Sequence, residues 1–309
     1  MKAYELETFG IENLQIVESA TPEPGNNEVL VQVCAASLNY RDLMVVRGEY
    51  NPRMRLPAVP LSDGAGKIVA VASAARSTLG GDARSNGVLR EFAAFDASTV
   101  VPIPDYLSFA EAAVLPCAGL TAWNALVESG DLRTGETVLS LGTGGVSIFA
   151  VQIAKHFGAR VIATSSSDAK IEKLRALGAD ETINYRSTPD WEKAVLDLTD
   201  GVGVDHVVEV GGAGTIEKSL ASVRVGGTVS LIGALSGGAM VNTVPIFMRA
   251  IRLQGIFIGS KAMFERMLRE FDRARIQPVI DRIFSFDEAP NALRYMETGK
   301  HFGKIVIEF

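Results

Sequence analysis

Histidine, cysteine and tryptophan are scarce in this 309-residue chain, which holds three, two and two of them respectively. A catalytic zinc takes three protein ligands and a structural zinc usually four, drawn from Cys, His and carboxylates. Cys34 and Cys117 are far apart and no Cys-x-x-Cys occurs. His156 falls in a helical pattern, His206 at the start of a strand, and His301 in the tail, where a solvated loop position is the simplest reading. Zinc chemistry is disfavoured on these counts. Two thiols in apolar surroundings fit a reducing cytoplasm better than a disulfide scaffold. No apolar run reaches the roughly 18 residues of a membrane span, and "MKAYELETFG" lacks the apolar core of a signal peptide. The balance of 30 basic against 36 acidic residues, net charge −6, shows no basic patch, which argues against nucleic acid. A G-x-S-x-G elbow is absent, which argues against a serine hydrolase. What remains is cofactor chemistry, in which the protein supplies position and electrostatics.

The length suffices for two domains. Up to about residue 118 the pattern is β-rich and punctuated by prolines 52, 57, 60, 102 and 104, with strands expected over 28–38, 64–72 and 89–96. From about 120 apolar strands alternate with amphipathic helices: "ETVLSLG", "VSIFAVQIAKHFG", "RVIATS", "DAKIEKLRALG" and their successors as far as "LQGIFIG". That rhythm specifies an α/β fold with a parallel, doubly wound sheet. The tail adds helices near 262–274 and 287–299 and a closing strand, "GKIVIEF". The expected division is 1–119, 120–260 and a return to the first domain over 261–309.

Gly142, Gly144 and Gly145 lie between a strand and a helix, where glycines let backbone N–H groups approach a pyrophosphate at a helix N-terminus. Ser147 takes the third fingerprint position in place of Gly or Ala; it is still small enough for close packing. An NAD site usually carries Asp or Glu at the end of the second strand, for the ribose 2′-hydroxyl. Here that end reads Thr164, Ser165, Ser166, Ser167, with no carboxylate before Asp168. Hydroxyls and the cation of Lys170 suit a 2′-phosphate, which a carboxylate would repel. Tyr185 and Arg186 stand after the third strand. NADP(H) is favoured over NAD(H), the alternative being a helix cap of serines beside a solvated lysine.

Several motifs together resemble the medium-chain dehydrogenase/reductase superfamily: "LNYRDLMVVRGEY" (38–50), "PLSDGAG" (60–66), "VLPCAGLTAWNAL" (114–126), "GTGGVS", "INYR", "VDHVVEVGG" and "GKIVIEF". Within it they are similar to the zinc-free quinone oxidoreductase-like branch. Zinc alcohol dehydrogenases carry a Cys ligand near the place of Asn39, and Gly-His-Glu where this chain has Ser62 and Asp63. The resemblance implies a GroES-like β-barrel-type catalytic domain beside a Rossmann domain, and no zinc. It implies that Asn39 reaches the nicotinamide ribose and substrate, and that Thr121 lies beside the cofactor. Gly142, Gly144, Gly145 and Val146 would line the dinucleotide, with Gly211, Ile232 and Gly233 at later strand ends. Ser165, Ser166, Lys170 and Tyr185 would meet the adenosine phosphate. Phe257, Ile258 and Gly259 would back the nicotinamide along the sixth strand.

The implied reaction is hydride transfer from NADPH to an enone, quinone or aldehyde-type carbonyl. Tyr50 or water would donate the proton, and Met44 stands where some quinone reductases have a second tyrosine. Arg41 and Arg47 read as loop arginines, and Asp42 as a partner for one of them. A small-molecule carbonyl substrate and a homodimer or homotetramer, joined through edge strands such as "LQGIFIG", are expected, with no nucleic acid or membrane partner. A zinc alcohol dehydrogenase and a non-catalytic dinucleotide-binding sensor are the rival readings. Relatives also carry a longer segment where this chain has "AVASAARSTLGGDARSNGV" (70–88). Roughly two dozen residues are expected to be missing between Ala74 and Leu79, beyond the variation of ordinary loops.

Overall fold

The computed structural model describes residues 1–71, 87–233 and 240–309 of the chain. The expected gap between Ala74 and Leu79 lies outside the described residues. Two compact units are present: Met1–Cys117 with Gln277–Phe309, and Ala118–Ile276.

The first unit begins with an antiparallel pair, β1 (Lys2–Leu6) and β2 (Leu14–Glu18). After β3 (Glu28–Ser37) comes a seven-residue helix, α1 (Tyr40–Val46), in the stretch that reads in sequence as a charged loop. Its short length hides the helical period, but Leu43 and Val46 are one helical turn apart and both are buried. β4 (Asp63–Val71), β5 (Phe92–Asp96) and α2 (Phe109–Ala113) follow.

The second unit starts with two π-type turns, Leu115–Gly119 at its border and Asn124–Glu128, on either side of α3 (Leu120–Trp123). The alternation then runs β6 (Thr137–Ser140), α4 (Gly145–His156), β7 (Arg160–Ser165), α5 (Asp168–Ala176), β8 (Glu181–Asn184) and α6 (Trp191–Asp197). It continues with β9 (Val204–Glu209), α7 (Ile216–Ser222), β10 (Val223–Leu231), α8 (Val244–Met248), β11 (Arg252–Gly255) and α9 (Lys261–Ala274). The chain returns to the first unit with β12 (Ile280–Ser285), α10 (Ala289–Glu297) and β13 (Lys304–Glu308).

In the second unit the sheet order is β11-β10-β9-β6-β7-β8, and every pairing is parallel. Val138, Leu139, Val161, Ile162, Val207 and Val208 are fully buried, as continuous apolar strands covered on both faces must be. The order reverses between β6 and β9, so a crevice opens at the carboxyl ends of these two strands, where open α/β sheets bind ligands.

In the first unit the order is β12-β13-β3-β4, with β5 also paired to β3. Leu6, Leu38, Leu43, Leu89, Leu293 and Ile305 share its core.

Two sequence expectations need correction. Helix α9 belongs to the second unit, so the boundary falls at Ile276 and not at 260. The reason is its apolar face: Met267 and Phe271 are fully buried, and the Phe271 ring lies 6.3 Å from that of Phe149 in α4. The strand expected to run through Gly259 stops at Gly255, because Ile258 adopts φ +50°, which no strand accommodates.

Candidate functional site

In the second unit the glycine loop joins β6 to α4 at the reversal of strand order. Gly142 has φ +73° and open space where a Cβ would stand, so the turn requires glycine for its backbone conformation. Gly144 is the N-cap of α4 and brings no side-chain cap. The first intrahelical bond of α4 is donated by Ile148 to the Gly144 carbonyl, so the amides of Gly145, Val146 and Ser147 point out of the helix without helical partners. Donors aimed this way, at the positive end of a twelve-residue helix, form a cradle for a pyrophosphate. Ser147 does more than fit: its Oγ donates to the Leu141 carbonyl at 2.7 Å, tying the helix start to the end of β6.

The other cofactor candidates collect at the same end of the sheet. The amide of Gly142 donates to Thr164 Oγ1 at 3.1 Å, which draws the end of β7 onto the glycine loop. Ser165 is buried and its Oγ accepts from the Ser167 amide. Ser166 and Lys170 are half-buried, and Tyr185 is exposed beyond β8. Asp168, the only carboxylate near this tip in sequence, accepts from Asn184 Nδ2 at 2.7 Å.

Gly211 follows β9, and Ile232 and Gly233 follow β10. A Cβ on Gly233 would stand 1.7 Å from the Val210 carbonyl oxygen, so only glycine fits there. One residue braces both loops. The buried Glu209 accepts at Oε1 from the amides of Gly211 (2.7 Å) and Gly212 (2.9 Å) and from Thr215 Oγ1 (2.6 Å), and at Oε2 from Ser219 Oγ. Its backbone carbonyl also accepts from the amides of Ile232 and Gly233. Sequence reading passed over it as one more strand residue.

Thr121 is buried in α3. Asn124, just after it, donates through Nδ2 to the Ile258 carbonyl at 2.7 Å, and holds that residue in a left-handed conformation rare for a β-branched side chain. Phe257 is 79% exposed.

In the first unit Asn39 heads α1. An asparagine at an N-cap usually accepts from an N2 or N3 amide through its side chain. Here it stands in a capping box with Asp42, whose Oδ2 accepts from the Asn39 amide at 2.8 Å, and Asn39 Oδ1 also accepts from Lys304 Nζ at 2.6 Å.

Sheet register explains the meeting. Val306 of β13 stands opposite Ser37 of β3, so Lys304 falls opposite Asn39; Asp63 of β4 also stands opposite Ser37. Lys304 is 4% exposed and donates a second bond to the Leu38 carbonyl at 2.5 Å. Asp63 accepts from the Cys117 amide at 3.0 Å through Oδ2 and from Ser62 Oγ at 3.1 Å through Oδ1. Neither Lys304 nor Cys117 announced itself in sequence. A lysine in "GKIVIEF" reads as the solvated start of an edge strand.

The electrostatics follow from burial. Loss of hydration pushes the Asp42 carboxyl up to about 6; the Arg41 guanidinium, 3.8 Å away, pulls it down, and Asp63 adds to the rise. Burial also pushes the Cys117 thiol up to about 12, helped by Asp63. It lowers the Lys304 ammonium, against the opposing pull of Asp63, Cys117 and Asp42.

The loop after α1 carries Tyr50, 45% exposed, with the Arg41 guanidinium 5.3 Å from its ring centroid. Arg47 pairs with Glu297 at 2.5 Å. The two arginines are thus engaged within this unit.

The donor set does not suit zinc. Asn39 Oδ1 and both Asp63 oxygens already accept hydrogen bonds, and the buried cation among them is Lys304. A zinc site wants deprotonated thiolate and free lone pairs. Among the described residues no group of three or more His, Cys, Asp or Glu is placed to hold a metal ion. No helix among them is long and apolar enough to cross a membrane.

Comparison with known proteins meets this geometry from outside. The zinc-binding dehydrogenase family profile matches residues 145–273, and that of the alcohol dehydrogenase GroES-like domain matches 25–105. A zinc-type alcohol dehydrogenase-like protein of Schizosaccharomyces pombe is 40% identical over 337 aligned positions, covering 98% of this chain and 97% of its own. That span exceeds the 309 residues present, so the relative holds residues without a counterpart here. A 2-methylene-furan-3-one reductase of Solanum lycopersicum is 34% identical, covering 99% of this chain and 79% of its own. Among solved structures, a quinone oxidoreductase of Thermus thermophilus, also known in complex with NADPH, superposes with TM-score 0.85 at 30% identity over the full length of both chains. A structure described as an NAD-dependent alcohol dehydrogenase gives 0.91 at 33% identity, again over both full lengths. The chain belongs to the medium-chain dehydrogenase/reductase superfamily and is an NAD(P)-dependent oxidoreductase of that type.

Proposed function

We propose that this oxidoreductase works without zinc, prefers NADPH, and reduces an enone, quinone or aldehyde-type carbonyl. The observation that carries the reading is the buried Lys304 ammonium hydrogen-bonded to Asn39 Oδ1 and facing Asp42, Asp63 and Cys117. A cation already occupies the polar centre of the first unit, and the ligands a zinc would need are engaged. When bound, the nicotinamide dinucleotide supplies the hydride.

The chain supplies the rest. Gly142, Gly144, Gly145 and Val146 hold the pyrophosphate through backbone amides. Thr121, Gly211, Ile232, Gly233, Phe257, Ile258 and Gly259 line the nicotinamide side. Ser165, Ser166, Lys170 and Tyr185 take the adenosine 2′-phosphate. Support for the phosphate comes from the tip of β7, where hydroxyls and a lysine collect and the carboxylate of Asp168 is engaged by Asn184.

Negative charge that builds on the substrate oxygen is met by hydrogen-bond donors and a proton. Asn39 is the donor, and the hydroxyl of Tyr50, a residue 45% exposed, or water, provides the proton. The enzyme acts in the cytoplasm as a homodimer or homotetramer. β11 is an edge strand flanked by the exposed Phe247, Met248 and Phe257, which supports pairing with a second copy.

The test is oxidation of NADPH and of NADH by the purified protein against quinones, enones and aldehydes, with zinc assayed on the same sample. Faster turnover with NADPH, at least one accepted carbonyl, sub-stoichiometric zinc and indifference to a chelator are expected. Stoichiometric zinc, or activity lost to the chelator, would overturn the metal-free reading. A preference for NADH would overturn the cofactor assignment.

A further inference from the structure

Lys304 settles the orientation of Asn39. An ammonium only donates, so the amide atom 2.6 Å from Nζ is the carbonyl oxygen, and the NH2 group points the other way. That NH2 is buried and has no hydrogen-bond partner among the described residues. An orphaned buried donor is destabilising by about 1–3 kcal/mol, and such groups recur where a ligand or water supplies the missing acceptor. A buried lysine adds its own desolvation penalty. Two unfavourable choices, an orphaned NH2 and a buried lysine, converge on one amide.

We propose that Lys304 is a positioning residue whose ammonium locks the Asn39 amide with its NH2 turned to an acceptor oxygen of the bound ligand. This rests on the reading of Asn39 as a site residue. The shared chemistry is a neutral or developing-negative oxygen, from either a sugar hydroxyl of the dinucleotide or the substrate carbonyl. Without the lock an asparagine amide turns over at little cost and presents its oxygen instead, which repels a carbonyl oxygen and can only accept from a sugar hydroxyl.

The experiment compares wild type, Asn39→Ala, Asn39→Asp, Lys304→Met and Asn39→Ala/Lys304→Met, following NADPH binding by fluorescence and steady-state kcat on an accepted carbonyl. Folding is checked by circular dichroism. Asn39→Asp keeps an acceptor for Lys304 and removes the donor. If the donor serves the carbonyl, kcat falls by about 10²-fold with the NADPH Kd unchanged. If it serves the sugar, the Kd rises by about tenfold and kcat holds. Lys304→Met shifts the same parameter in the same direction, and its effect vanishes in the Asn39→Ala background.

Equal effects of Lys304→Met in both backgrounds would overturn the inference while leaving Asn39 in the site. Wild-type kcat and Kd in Asn39→Ala would instead remove Asn39 from the site. Should Lys304→Met fail to fold, Asn39→Asp and Asn39→Ala still decide, because wild-type kcat in the first together with wild-type Kd in the second refutes an NH2 donor.

Discussion

Asp42→Asn should make the first unit more resistant to opening as pH rises. Asp42 is 1% exposed and its carboxyl is pushed up from 3.8 to about 6, chiefly by burial. Between these values the folded chain keeps a proton that the unfolded chain has released, so stability falls as pH rises through this window. Full ionisation of a carboxyl shifted by roughly two units is unfavourable by about 3 kcal/mol. About half of that is already present at pH 5, and nearly all of it by pH 7.5. Asparagine keeps an oxygen for the Asn39 amide and carries no charge to desolvate.

The charged and titratable neighbours, Arg41, Asp63, Lys304 and Cys117, remain in both proteins. The stability difference between variant and wild type should therefore move by about 1.4 kcal/mol in favour of the variant from pH 5 to pH 7.5, a tenfold change in the opening equilibrium. Hydrogen exchange followed by mass spectrometry on peptides covering α1 and β13 reads this directly, because intrinsic exchange cancels between the two proteins at one pH. A protection ratio that stays constant across that range would refute a buried carboxyl ionising near pH 6.

Glu209→Ala should destabilise the second unit by about 1–3 kcal/mol and weaken dinucleotide binding, because the amides of Gly211 and Gly212 and the hydroxyls of Thr215 and Ser219 then lose their common acceptor; thermal melting and an NADPH titration check both. Ser147→Ala should lower stability by about 1 kcal/mol, through loss of its bond to the Leu141 carbonyl, as read by chemical denaturation. In native protein at pH 7.5, Cys117 should resist iodoacetamide far longer than in denaturant, since its thiol stays protonated up to about pH 12; peptide mapping of alkylation would contradict this by finding early modification there.

Local pattern carried much of this protein. Buried parallel strands read as apolar runs, their helices show the 3.6-residue period, and a glycine cluster between one such strand and its helix marks the turn at which helix-start amides are left without helical partners. These features depend on neighbours within about twenty residues, so the order β6 to β11 and the places of Gly142, Gly144, Gly145, Ser166 and Lys170 are legible in the chain itself. Tertiary structure decided the rest. Asn39, Asp42, Asp63, Cys117 and Lys304 become one charged centre only because the register of β3 with β4 and β13 sets residues opposite one another that are up to 265 positions apart. Burial, and not residue type, made Lys304 the partner of an amide and Asp42 a carboxyl that titrates near pH 6. The same holds for Glu209 and Ile258: one carboxylate gathers four donors and one backbone turns left-handed through contacts that no period in the sequence encodes.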